Sequence, residues 1–129
     1  MTIAVSLPIP PAACHQNARV HWAARSRAAK QARQDAYRCA LSTLDGRDPP
    51  RIEAAVVHVQ WFGKDRRCLK LDPTNCQAAL KASIDGLTDA GMWTDDRAVK
   101  WGNITIGVDA KAPRVDIAIE PATAYQSTD

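Results

Sequence analysis

Residues Ile52 to Phe62 read IEAAVVHVQWF, and this stretch decides the fold. β-Branched and aromatic side chains crowd it, a composition suited to a pleated, largely buried surface, so it predicts a strand. Working outward, Gly63 to Lys70 is a basic turn. Asp72-Pro73-Thr74-Asn75 is a second turn with a residue able to cap a helix. Cys76 to Ala90 reads as that helix, with Leu80, Ile84 and Leu87 at core spacing and Gly91 where a helix stops. Val99 to Val108 and Arg114 to Glu120 read as two more strands, the second alternating through Val115, Ile117 and Ile119. Upstream, Thr2 to Leu7 alternates and is ended by Pro8, Pro10 and Pro11. Trp22 to Leu44, rich in Ala, Arg, Lys and Gln, reads as a helix whose Ala29, Ala36, Ala40 and Leu44 face the core. Gly46 suits its end, and Asp48-Pro49-Pro50 is a loop. The order β-α-β-α-β-β predicts an α+β fold: a mostly antiparallel four-stranded sheet with two helices packed on one face.

The 129 residues, 46% hydrophobic and 24% charged, fit one domain with its own core. We assign it to residues 1–120, with 121–129 as a flexible tail. Repeats, low-complexity tracts and a membrane-length apolar run are absent. Met1 to Leu7 is too short and lacks the charged start of a signal peptide. The expectation is a cytoplasmic protein with no membrane partner. Cys14, Cys39, Cys68 and Cys76 form no CxxC pair, and His15, His21 and His58 do not complete a zinc set, so the thiols read as reduced.

Charge is segregated. Between Arg19 and Arg38, the cations Arg19, Arg25, Arg27, Lys30, Arg33 and Arg38 face a lone Asp35. Lys64, Arg66, Arg67 and Lys70 surround Asp65. Asp72, Asp85, Asp89, Asp95 and Asp96 face only Lys81. Basic flanks around an acidic patch suit a polyanion held over bound cations, although a solvated mixed surface has the same composition.

The helix from Cys76 to Ala90 is bracketed by acids, with Asp72 before it and Asp95-Asp96 after it. Lys81 and Asp85 share its polar face, since i and i+4 neighbours stack. Mg²⁺ takes oxygen ligands, usually one or two carboxylates with waters and substrate phosphate. Asp72, Asp85, Asp95 and Asp96 are therefore candidate ligands, with Asp72 and Asp96 expected to share a cation. The bland alternatives are routine turn aspartates and a surface Lys81–Asp85 ion pair.

The run Asp72-Pro-Thr-Asn75, then Leu80-Lys81-Ala-Ser-Ile-Asp85-Gly-Leu87, then Asp89-Ala-Gly91-Met-Trp-Thr-Asp95-Asp96 resembles the RusA family of Holliday junction resolvases. That family carries an Asp-x-Asp-Asn turn, a Lys-x-x-x-Asp helix, a Gly turn and an Asp-Asp pair in this order. Asn17 with His21-Trp22 and the basic helix is similar to the family's start, so the likeness covers roughly Leu7 to Val108. It implies a Mg²⁺-dependent endonuclease, with Mn²⁺ as a substitute, acting as a homodimer. Its substrate would be branched duplex DNA, four-way junctions in recombination and repair, cut by paired nicks. Carried over, Asp72, Lys81 and Asp96 are catalytic, Asp95 lies beside Asp96, and Asn75 matches the family's Asn. Thr74 stands where the family has its second Asp, and Asp85 is the substitute ligand on the same face. Arg25, Arg27, Lys30, Arg33, Arg66, Arg67 and Lys70 are the expected DNA-binding cations. The competing expectations are a branched-DNA-binding protein that has lost catalysis and a phosphohydrolase of small substrates.

Overall fold

A computed structural model describes residues 2–15 and 18–122. Its sheet has four strands in the order β1-β4-β2-β3. β1 is Ile3–Leu7, β2 Ala55–Gly63, β3 Val99–Val108 and β4 Arg114–Pro121. β4 pairs antiparallel with both β1 and β2, whereas β2 and β3 run parallel. Since β1 and β2 are both antiparallel to β4, they are parallel to each other. Each helix is thus the crossover of a parallel pair: α1 (Trp22–Leu44) joins β1 to β2, and α2 (Pro73–Asp89) joins β2 to β3.

One face of the sheet is buried. Val5 and Leu7, Ala55, Val57, Val59 and Trp61, and Val115, Ile117 and Ile119 are each at most 2% exposed. Both helices cover this face. The opposite face is open, with Ser6, His58, Gln60, Asn103, Thr105 and Asp116 lining a shallow groove. An antiparallel sheet tolerates one wet face, and the alternation is its signature.

β3 would lose that alternation without a bulge. Val57 pairs with Trp101 and Val59 with Ile104, so Gly102 and Asn103 together face His58. The extra residue shifts the phase, and Val99, Trp101, Ile104 and Ile106 all pack against the core. A Cβ on Gly102 would meet the His58 ring at 2.4 Å. The Asn103 amide donates to His58 Nδ1 at 3.0 Å, and His58 Nε2 lies 3.0 Å from Glu120 Oε2. With Nδ1 accepting, the ring's proton is on Nε2 and is donated to the carboxylate.

The helices differ from expectation in detail. The buried stripe of α1 is Ala28, Ala32, Ala36, Ala40 and Leu44, a strict i, i+4 row. Ala29, expected in the core, is half-buried, because the row is set one residue back. α2 begins at Pro73 rather than Cys76. The Asp72 carboxylate accepts from the Asn75 amide at 2.8 Å, and Pro at the first position needs no amide partner. Leu80, Ile84 and Leu87 are buried as expected. β2 begins at Ala55, and Ile52 instead makes an isolated parallel bridge to Trp93. Of residues 121–129, expected as a tail, Pro121 instead ends β4 beside Ala55 and the Ala122 amide donates to the Ala54 carbonyl at 2.7 Å; residues 123–129 and Asn17 lie outside the described residues.

The helices touch almost backbone to backbone. A Cβ on Gly86 would lie 2.2 Å from the Arg33 carbonyl oxygen and 2.9 Å from Ala36 Cβ. Beside this contact, Arg33 donates from Nε and Nη2 to the two Asp89 carboxylate oxygens at 2.6 and 2.8 Å.

Candidate functional site

The outer face of α2 and the start of β3 enclose a cleft of about 400 Å³. Thr74, Gln77, Ala78, Lys81, Ile84, Asp85, Asp96, Val99 and Trp101 line it. Helical periodicity sets one wall, since 74, 77, 78, 81, 84 and 85 fall on one side of α2. β3 is an edge strand, so nothing in the sheet lies beyond it and the cleft stays open.

Asp96 reaches this wall because its loop is pinned. Backbone bonds tie Arg51 to Gly91, Ile52 to Met92 and Thr94 to Ile52 at 2.9, 3.1 and 3.1 Å. Trp93, 1% exposed, donates from Nε1 to Thr88 Oγ1, which donates to the Ile84 carbonyl at 3.0 Å. Gly91, at φ +85°, supplies the left-handed residue that turns the chain out of α2.

Four of the site residues expected from sequence therefore share the cleft: Thr74, Lys81, Asp85 and Asp96. The surface Lys81–Asp85 pair does not form. Among the described residues, Lys81, Asp85 and Asp96 take part in no salt bridge. An ammonium and two carboxylates are thus left facing one open space.

Asp72 and Asp95 do not line it. Asp72 caps α2 through Oδ1, about 20 Å of helix rise from Asp85. Asp95 caps the short turn Asp96–Ala98 by accepting from the Arg97 amide at 2.8 Å. Among the described residues, no three carboxylate, imidazole or thiol groups converge as a metal cluster. The expected set of Asp72, Asp85, Asp95 and Asp96 is thereby divided. Asn75 is half-buried behind the Asp72 cap, outside the lining.

The basic residues also divide. Arg25 donates to the carbonyls of His15 and Ala18 at 3.1 and 2.7 Å, bracing the loop before α1. Arg33 belongs to Asp89. Arg67 pairs with Asp65 at 2.7 Å, and its hydrogen bonds hold the Asp65 carboxyl down to about 2. Arg27, Lys30, Arg66 and Lys70 are exposed and enter no salt bridge among the described residues. Arg66 and Lys70 lie on the short helix Arg66–Lys70, anchored to β3 by the Cys68 thiol donating to the Gly107 carbonyl at 3.2 Å.

Gln77 and Trp101 were not anticipated from sequence. Gln77 precedes Lys81 by one turn, a signal that the helical wheel carries. Trp101 is set against the cleft by the pairing of β3 with β2, which no local pattern announces. No family model matches the chain, and no characterised protein matches it in sequence.

Donor chemistry decides what the cleft can hold. Two carboxylates with room for water and phosphate oxygens suit Mg²⁺, which usually takes one or two carboxylates from protein. They do not suit zinc, which seeks His and Cys.

Proposed function

We propose that this chain is a Mg²⁺-dependent endonuclease of branched DNA, four-way junctions among its substrates, working in the cytoplasm as a homodimer. The observation that carries the reading is the gathering of Lys81, Asp85 and Asp96 in one open cleft with no partners to neutralise them. The resemblance of residues 72–96 to the RusA resolvases, with its Lys-x-x-x-Asp helix and Asp-Asp pair, names the substrate.

Asp85 and Asp96 would hold the cation, and Mn²⁺ suits the same oxygen donors; the Thr74 hydroxyl lines the cleft about 16 Å of helix rise from Asp85, outside reach of that ion. A bound divalent ion supplies charge stabilisation at a phosphodiester and a water of lowered pKa. The Lys81 ammonium meets a non-bridging phosphate oxygen and offsets the charge that builds there. Gln77 can donate to the same phosphate. Arg66 and Lys70 supply sequence-independent attraction for the duplex arms, and Arg27 and Lys30 add phosphate contacts on α1.

A specific observation favours a second reading, a branched-DNA-binding protein without cleavage. Asp72 is committed to a helix cap, and Thr74 brings no charge to the cleft. A fluorescently labelled four-way junction, incubated with and without Mg²⁺, separates the two. The nuclease reading expects paired nicks that need Mg²⁺. It also expects a loss of about 10²–10³-fold in Lys81→Ala, the scale of removing one transition-state donor. Asp96→Asn should abolish nicking while junction affinity persists. Binding by the wild type with no nicking in Mg²⁺ or Mn²⁺ would establish the second reading instead.

A further inference from the structure

The outer face of α1 carries aromatic groups that the fold does not use. Trp22 is 75% exposed, whereas Trp61 and Trp93 are 2% and 1% exposed. Tyr37 and Leu41 on the same helix are 39% and 44% exposed. The His21 ring lies 5.4 Å from that of Trp22, widening the aromatic surface at this end. Tyr37 lines a groove of about 530 Å³ with Lys30, Arg33, Gln34, Arg38 and Asp89.

Cations alternate with these rings. Arg27, Lys30 and Arg38 are exposed on the flank of α1 that carries Tyr37 and Leu41, and Trp22 stands at its N-terminal end, about 60° round the axis from Tyr37. Of the acids nearby, Asp89 is paired with Arg33, while Asp35 accepts from the neutral Gln31 amide at 2.8 Å, which does not cancel its charge. The face is therefore a cationic strip with an aromatic platform near each end, the two about 22 Å apart along the axis.

We propose that this face of α1 binds single-stranded nucleic acid, with bases stacked on Trp22 and Tyr37 and phosphates on Arg27, Lys30 and Arg38. Paired bases hide their faces within the duplex stack, so an aromatic ring on a cationic strip gains most from unpaired ones. A second copy of the chain fits less well, because a two-fold contact through this strip would set like charges against one another. The proposal rests on the nucleic-acid reading above but not on cleavage. For a branched substrate, it assigns α1 a single-stranded flank rather than the paired arms.

Fluorescence anisotropy with a labelled oligothymidine and a duplex of equal length tests it. Trp22 is exposed, so its substitution leaves the fold intact, which a thermal melt verifies. Trp22→Ala should weaken oligothymidine binding about tenfold, the middle of the range for one lost stacked base, and leave duplex affinity within about twofold. Trp22→Phe should retain most of the affinity. The salt slope should be unchanged in Trp22→Ala but shallower in Arg27→Gln/Lys30→Gln. Equal weakening toward both ligands, no weakening, or no oligothymidine binding by the wild type would overturn the proposal. So would a dimer, seen by sedimentation, that Trp22→Ala dissolves. Oligothymidine binding that depends on Trp22, in a protein that never nicks DNA, would support the platform and remove only the nuclease.

Discussion

Gly86→Ala should destabilise the protein although alanine is the better helix former. The added Cβ would lie 2.2 Å from the Arg33 carbonyl oxygen, 3.0 Å from its carbon and 2.9 Å from Ala36 Cβ. Two of these three atoms are backbone, so no rotamer change relieves them, and α2 must move away from α1 by roughly 1 Å. Overpacking of this kind costs about 1–3 kcal/mol. Helix propensity offsets up to about 1 kcal/mol. The net loss, roughly 1–2 kcal/mol, corresponds to a fall in Tm of about 3–8 °C for a chain of this size. The move would also shift Asp85, the adjacent residue, against Asp96. Calorimetry of the two proteins at neutral pH measures the change. An unchanged or higher Tm in Gly86→Ala would refute the reasoning, since it would mean that the helices separate without cost.

Asp85→Asn should raise the Mg²⁺ concentration for half-maximal cleavage, whereas Thr74→Asp, about 16 Å of helix rise away, should leave it unchanged. No shift in Asp85→Asn would remove that residue from the ion's surroundings. The Asp89 carboxyl is held below its ordinary range by hydrogen bonds from Arg33, with the guanidinium's charge adding to them. Its stabilisation is therefore complete above the ordinary aspartate value near about 4 and is lost as pH falls through the lowered one. Asp89→Asn should make stability less sensitive to acid below about pH 4. At neutral pH it should cost under about 1 kcal/mol, because the pair is solvent-screened. Urea melts at neutral and acid pH check this, and an unaltered acid limb would contradict it. Burial, more than the nearby Asp72, pushes the Cys76 thiol up to about 11, and the residue is 0% exposed. A thiol reagent at mildly alkaline pH should modify Cys76 only as the protein unfolds, and rapid labelling of the native protein would show an opening at the start of α2.

Local periodicity carried much of this structure. Leu80, Ile84 and Leu87 announced the buried face of α2, and Lys81 with Asp85 announced the opposite one, because a helix converts spacing directly into direction. The alternation in β4 did the same for the sheet. What failed depends on partners distant in sequence. The bulge opposite His58 exists only once β3 lies beside β2, so the reading of Val99–Val108 could not locate it. Arg33 looks like any solvated cation until Asp89, 56 positions later, is placed beside it. Asp72 illustrates a different ambiguity. An acid before Pro at a helix start serves equally as ligand or cap, and here one carboxylate oxygen, Oδ1, caps the helix through the Asn75 amide, a contact within one turn.

The strand order imposes a sequence of events during synthesis. Among the described strands β1 emerges first, yet it pairs only with β4, which emerges after the other three. Until Arg114–Pro121 leaves the ribosome, β1 and β2 have no strand between them, and the backbone edges that β4 will pair stay open. The chain must therefore wait, with α1, α2 and the β2–β3 pair as its earliest organised part, for a final insertion that joins both ends of the molecule. Non-local closure of this kind is slow and leaves apolar edges open to other chains. A stop codon ahead of Arg114 would leave no partially useful product, since it removes the strand against which the others are registered.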